Sequence, residues 1–191
     1  MMRTLFWGAL GIYCVYRFLS GAGLIGNRPI PADTEEVQTQ ETRLDEYSDD
    51  VVSLDIVCDI IKKKINPNLP TYEVKLIGMY VLFCSEEYEL DPYLVLGVIH
   101  AESSARFWVN NKGALGLMQI KKSVWYEELK ASGMIADEGD LYRIPTAIKC
   151  GCWILHRYLV EAGYDIDVAL KLYSGGAGER YMKKAKSFIK R

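Results

Sequence analysis

From Val51 onward the apolar residues return every three or four positions, except over one stretch, residues 105–120. That interruption constrains the fold most. A chain with this pattern builds a bundle of helices around one irregular segment, because 3.6-residue periodicity buries one side of each helix and residues outside it must be placed by other means. Val51, Leu54, Val57, Cys58, Ile61 and Ile65 mark a first helix, and Val74, Ile77, Val81, Leu82 and Tyr88 a second. Leu90-Asp91-Pro92 reads as a helix start, with Asp91 as cap and Pro92 in the first turn, and that helix should run to about Ser103. Further helices are expected at 121–131, 145–161, 165–173 and 177–190, with a polar loop over 132–143. Asn110, Asn111, Gly113 and Gly116 predict a loop or small β-excursion between the two groups. The fold class is mainly α.

Charge divides the chain of 191 residues into three parts. Residues 1–26 carry only Arg3 and Arg17 and are otherwise apolar or uncharged; residues 27–50 hold eight acids against Arg28 and Arg43; residues 51–191 hold nineteen basic and seventeen acidic residues. The last part is long enough to bury a core without staples, and its near-neutral balance gives no reason to expect a nucleic-acid partner. The leader, 1–26, approaches the roughly 20 apolar residues that cross a bilayer. Arg17 inside it costs roughly 2.5–3.5 kcal/mol at mid-bilayer, which snorkelling reduces. No A-x-A cleavage pattern follows, so an uncleaved membrane anchor is favoured over a signal peptide. Either reading exports the body, to the periplasm or cell wall or as part of a virion. Pro29, Pro31 and the acids make residues 27–50 a solvated linker.

Five cysteines and two histidines, His100 and His156, show no zinc spacing, and no metal or organic cofactor is implied. In an exported body Cys58, Cys84, Cys150 and Cys152 allow one or two disulfides; small buried thiols are the alternative.

One residue stands in the wrong place for a core. Glu102 follows Val95 by seven, Val98 by four and Ile99 by three, so a carboxyl group shares the apolar face of its helix. It also sits at the helix C-terminus, where the dipole is negative. Both effects disfavour the carboxylate and raise its pKa, as a general acid at neutral pH requires. An ordinary terminal glutamate, frayed or paired with Arg106 or a lysine, is the alternative from helix geometry alone.

The neighbouring motifs decide between them. Glu102-Ser103, then Gly113-Ala114-Leu115-Gly116-Leu117-Met118-Gln119-Ile120, then Ala169-Leu170-Lys171-Leu172-Tyr173-Ser174-Gly175-Gly176 resembles the three-part signature of lytic transglycosylases with the soluble-lytic-transglycosylase (SLT) domain, related in fold to goose-type lysozyme. Ile144 to Gly151 resembles the start of that family's intervening helix, and the likeness covers roughly 75–190. It implies a lysozyme-like α+β fold, peptidoglycan glycan strands as partner, Glu102 as the catalytic acid, and Ser103, Gly116, Met118, Gln119 and Tyr173 as substrate-binding residues, with Tyr173 near Glu102. It further implies cleavage of the bond from N-acetylmuramic acid to N-acetylglucosamine with a 1,6-anhydro product; a goose-type hydrolase using Asp137 or Asp140, or a silent wall-binding module, are the other readings.

The residues themselves fit such a site. Gly113 and Gly116 permit positive φ or close approach, and the Gln119 amide suits an acetamido group. Met118 is an adaptable apolar filler, and the glycines after Tyr173 end its helix, which leaves the hydroxyl free in a cleft. The family's Met-Pro is replaced by Lys121-Lys122, its loop serine by Asn110 or Asn111, and its asparagine by Ser174. His100 reads as structural, and Trp108, Trp125, Tyr126, Tyr142 and Trp153 mostly as core. The basic run Arg180, Lys183, Lys184, Lys186, Lys190 and Arg191 reads as the solvated face of a helix whose packed side carries Tyr181, Ala185 and Phe188, with weak attraction to acidic wall polymer as a secondary use.

Overall fold

The structure is a computed structural model that describes residues 52–189. The leader and linker read over 1–26 and 27–50 lie outside the described residues. Among the described residues, no helix is long and apolar enough to cross a membrane.

Helix α1, Leu54–Ile60, is capped by Ser53, whose hydroxyl accepts from the Ile56 amide at 3.3 Å. It widens into a π-helical turn, Ile61–Ile65, closed by Asn66 N–H to Ile61 O at 2.8 Å. Helix α2 is Thr71–Glu87. Helix α3, Pro92–Glu102, begins as expected: Asp91 accepts from the Tyr93 amide at 2.8 Å, and Pro92 occupies the first turn.

The small sheet follows, with β1 Asn110–Asn111, β2 Ala114–Leu115 and β3 Ile120–Lys121 antiparallel in that order. Asn110 pairs with Leu115 and Leu115 with Ile120. The β1–β2 turn is Lys112-Gly113, both at positive φ (51° and 81°), the handedness a two-residue hairpin needs. Helix α4 is Lys122–Ala131. A 3-10 turn, Glu138–Tyr142, stands where only a loop was expected, because Asp137 and Asp140 form a reciprocal capping box around its start. Helix α5 is Ile144–Glu161, α6 Ile166–Tyr173 and α7 Glu179–Ala185. The last is shorter than expected from 177–190.

Two apolar clusters meet along α5. The larger joins α1, α2, α3, α5 and α6; the smaller lies under the sheet and contains Leu115, Ile120, Leu129, Ile135, Leu141, Cys150 and Ile154. Helix α3 is the centre of the first. Six consecutive residues, Leu94 to Ile99, are buried, so it is apolar all round rather than along one stripe. The reason is α7, which covers its far side. The two backbones approach so closely at Gly97 that a Cβ there would stand 1.7 Å from the Ala185 carbonyl oxygen.

All four described cysteines are free thiols. Burial pushes the Cys150 thiol up to about 12 and raises Cys152 as well, so the buried-thiol reading holds for both.

Candidate active site

Glu102 is the last residue of α3, half-buried, and its carboxyl is not in open solvent. Tyr181 of α7 donates its hydroxyl to Glu102 Oε1 at 2.7 Å. Lys184, one turn further along α7, donates to Ser104 Oγ at 3.0 Å and lies close enough to Glu102 for their charges to interact. Burial pushes the Glu102 carboxyl up from its ordinary 4.5 to about 7, although the Tyr181 hydrogen bond and the Lys184 charge both pull it down. Arg106, the partner considered from sequence, instead donates from Nε to the Ser103 carbonyl at 2.9 Å.

The chain leaves α3 through two successive left-handed residues, Ser104 (φ 52°) and Ala105 (φ 60°). Such non-glycine conformations are disfavoured and persist where surrounding contacts hold them. Here Ser104 Oγ bonds both the His100 carbonyl and Lys184, and Ala105 is fully buried. The exit of the helix is thereby pinned beside the carboxyl group.

The glycine block docks onto this helix end. Ser103 Oγ donates to the Leu117 carbonyl at 2.6 Å, and Tyr173 donates its hydroxyl to the Met118 carbonyl at 3.0 Å. The charges of Glu102 and Tyr181 reach Tyr173 and, after burial, raise its phenol. The three motifs, far apart in sequence, therefore converge on one place.

The residues expected at the substrate also make contacts within the protein. Ser103 is buried and its hydroxyl is spent on Leu117, so it ties the helix to the turn. Met118 is fully buried, filling space that a side chain at position 151 would need: a Cβ on Gly151 would meet its sulfur at 2.3 Å. Gly116 (φ 71°) is required by the protein itself, since a Cβ would stand 1.9 Å from the Leu141 carbonyl oxygen. The Tyr173 hydroxyl is not free. The Gln119 amide is half engaged. Its Nε2 donates to the Val109 and Gly116 carbonyls at 3.1 and 2.8 Å, which leaves the side-chain oxygen as an acceptor.

The residues missed from sequence are Tyr181 and Lys184. The sequence reading put Tyr181 on the packed side of this helix and Lys184 on its solvated face, and nothing local indicated that both come close to Glu102. A groove of about 630 Å³ opens there, lined by Ala101, Gly178, Glu179, Arg180, Tyr181 and Lys184. The candidate second carboxylates, Asp137 and Asp140, are engaged with each other's backbone in their capping box. His100 packs against Phe188, with ring centroids 5.7 Å apart, and burial lowers its pKa, as a structural histidine would show. Among the described residues, no group of histidine, cysteine and acidic side chains could hold a metal.

A mainly helical domain with a short three-stranded sheet and a half-buried acid at the end of its central helix has the build of a lysozyme-like glycan-strand enzyme. Comparison with protein families matches residues 79–191 to the Transglycosylase SLT domain, and the chain belongs to that family. It is thus a transglycosylase-type enzyme acting on peptidoglycan. No curated protein matches the chain.

The pKa near 7 sets a pH dependence. If protonated Glu102 is the acid, kcat/KM on cell wall should fall as pH rises through about 7. Tyr181→Phe removes a hydrogen bond that favours the ionised carboxyl, so the alkaline limb should move to higher pH. A pH–rate profile of both proteins on purified wall checks this; a limb that stays in place in the variant contradicts the assignment.

Proposed function

We propose that the protein is a lytic transglycosylase that cleaves the β-1,4 bond from N-acetylmuramic acid to N-acetylglucosamine, with Glu102 as its single acid and base and a 1,6-anhydro sugar as product. The observation that carries this reading is the half-buried Glu102, its pKa near 7, held at one oxygen by Tyr181 beside an open groove.

Because Oε1 accepts from Tyr181, the proton is carried by Oε2, free to pass to the glycosidic oxygen. As that bond breaks, positive charge develops on the anomeric carbon and ring oxygen. Glu102, now ionised, takes the proton of the muramyl C6 hydroxyl, and the C6 oxygen closes on its own anomeric carbon. One carboxyl group serves both transfers because the nucleophile is tethered; well-oriented intramolecular attack is worth up to roughly 7–11 kcal/mol. Tyr181 and Lys184 favour the ionised form that the first transfer creates. Gln119 Oε1 is an acceptor suited to an acetamido N–H, and Ser103, Met118 and Tyr173 hold the turn that carries it.

Mass spectrometry of digested wall tests the reading. Anhydro-muramyl products are expected; reducing ends in their place would make the protein a hydrolase. For location, we infer from the apolar leader over 1–26 that the domain is delivered to the cell wall on a membrane anchor. Recovery of the full chain in the cytoplasmic fraction would refute that.

A further inference from the structure

We propose that Cys84 and Cys152 are a disulfide pair, closed by thiol–disulfide exchange with an oxidised donor as the exported chain folds, and that the bond locks α2 to α5. The inference is independent of the reaction proposed above. It rests only on delivery of the domain to the cell wall, where the surroundings allow cysteines to be oxidised.

The two cysteines stand on facing helices. Cys84 is in α2 and Cys152 in α5, and both side chains are fully buried in the larger apolar cluster. An ion pair fixes the register, with Lys149 Nζ 3.6 Å from Glu87 Oε1. One helical step back from Glu87 arrives at Cys84, and one step forward from Lys149 arrives at Cys152, so antiparallel helices bring the two side by side. The thiols meet there. Cys152 donates its S–H to the Cys84 sulfur; this hydrogen bond lowers the Cys84 pKa, while burial and the same bond raise that of Cys152. Tyr88, which follows α2, lies close enough to both sulfurs for their charges to act on it. The other described thiols are turned elsewhere. Cys58 donates to the Val74 carbonyl at 3.9 Å, and Cys150, two residues from Cys152 and so on another side of α5, belongs to the smaller cluster.

The oxidant is the disulfide of a donor, either a protein or a small thiol compound in its oxidised form. One cysteine thiolate attacks a donor sulfur, the donor S–S bond breaks, and a mixed disulfide forms. The thiolate of the second cysteine then attacks the sulfur of the first and expels the remaining donor sulfur as a thiolate. The two protons given up by the cysteines pass to the two donor sulfurs, so the cysteines are oxidised and the donor is reduced to two thiols. Both cysteines are sealed in the core once the helices have packed, so the exchange belongs to folding, and the finished bond is shielded from reductants. It replaces a contact already present between the helices. It also closes a long loop of chain, the arrangement in which a cross-link most restricts the unfolded state.

The test refolds the full chain, unfolded and reduced, in a buffer of reduced and oxidised glutathione and, beside it, in dithiothreitol. Glutathione supplies the donor wherever the chain resides in the cell. Free thiols are then alkylated and the protein is mapped by mass spectrometry without reduction. The expected result is a Cys84–Cys152 cross-linked peptide with Cys58 and Cys150 alkylated, and a melting temperature about ten degrees above that of the reduced protein. Cys150→Ala should keep both results. Cys84→Ala and Cys152→Ala should each lose the link and melt alike from the two buffers. Full alkylation of Cys84 after oxidative refolding, or a link from Cys84 to any other cysteine, would overturn the pairing. So would a linked protein that melts at or below the reduced one, because the helices would then have to part to accept the bond. None of these outcomes bears on the products released from wall, so the transglycosylase reading stands or falls separately.

Discussion

Glu102→Gln is expected to lower activity on purified wall by about 10³-fold or more, while making the folded domain more stable above neutral pH. The loss follows from the chemistry: an amide has the shape of the carboxyl group but can neither give its proton to the glycosidic oxygen nor take one from the C6 hydroxyl. The gain follows from linkage. The folded state holds the Glu102 proton up to about pH 7, against 4.5 for an unburied glutamate. Its contribution to stability is therefore fully present below about 4.5 and lost as pH rises through about 7. Above that, keeping the ionised group half-buried costs about 3 kcal/mol, from the difference between about 7 and 4.5 at 1.36 kcal/mol per unit of pH. A glutamine does not titrate. Denaturant melts at pH 5 and pH 9, run beside turnover assays, should show the variant gaining on the wild type only at the higher pH. Wall clearance unchanged in the variant would favour a silent binding module. A variant that is less stable at pH 9 would show that burial is not what raises the carboxyl pKa.

The second large effect is expected at a residue that touches no substrate. Gly97→Ala places a methyl group where the Ala185 carbonyl already stands, at 1.7 Å. Neither backbone can yield locally, so α3 and α7 must separate. Overpacking of this kind costs roughly 1–3 kcal/mol. The helix propensity of alanine works the other way by about 1 kcal/mol, so a net fall in melting temperature of several degrees isolates the packing effect. Activity should fall as well, because α7 carries Tyr181 and Lys184 and its retreat lengthens the bond to Glu102. Thermal melts and turnover on wall measure both. A variant that melts at or above the wild-type temperature would show that the contact is relieved without moving α7.

Gly97 also shows why half of the site escaped the sequence. Read along the chain it is a helix interruption costing about 1 kcal/mol, with no stated purpose. In the fold it sets the distance between two helices, and hence between an acid and the tyrosine that steadies it. The same holds for Met118. Its place in the motif was visible, but only the tertiary structure shows that its side chain is buried against Gly151. Ser103 and Tyr173 were found from their motifs, but not the carbonyls they bond to. Their hydroxyls bond to carbonyls of the turn rather than standing free, because a buried hydroxyl takes the nearest acceptor.

What the sequence by itself determined was local. The Asp91-Pro92 start, the helical runs, the break at 105–120 and the placement of Glu102 on an apolar face follow from capping, periodicity and turn chemistry, all of which act within a few residues. Only the tertiary structure decided what Glu102 meets. Tyr181 lies 79 residues away, and the bond between them depends on how two helices cross, on the close approach at Gly97 and on the pinned exit at Ser104 and Ala105. Helix propensity carries no information about such crossings, since they are set by the packing of side chains from segments that meet only once the chain has folded.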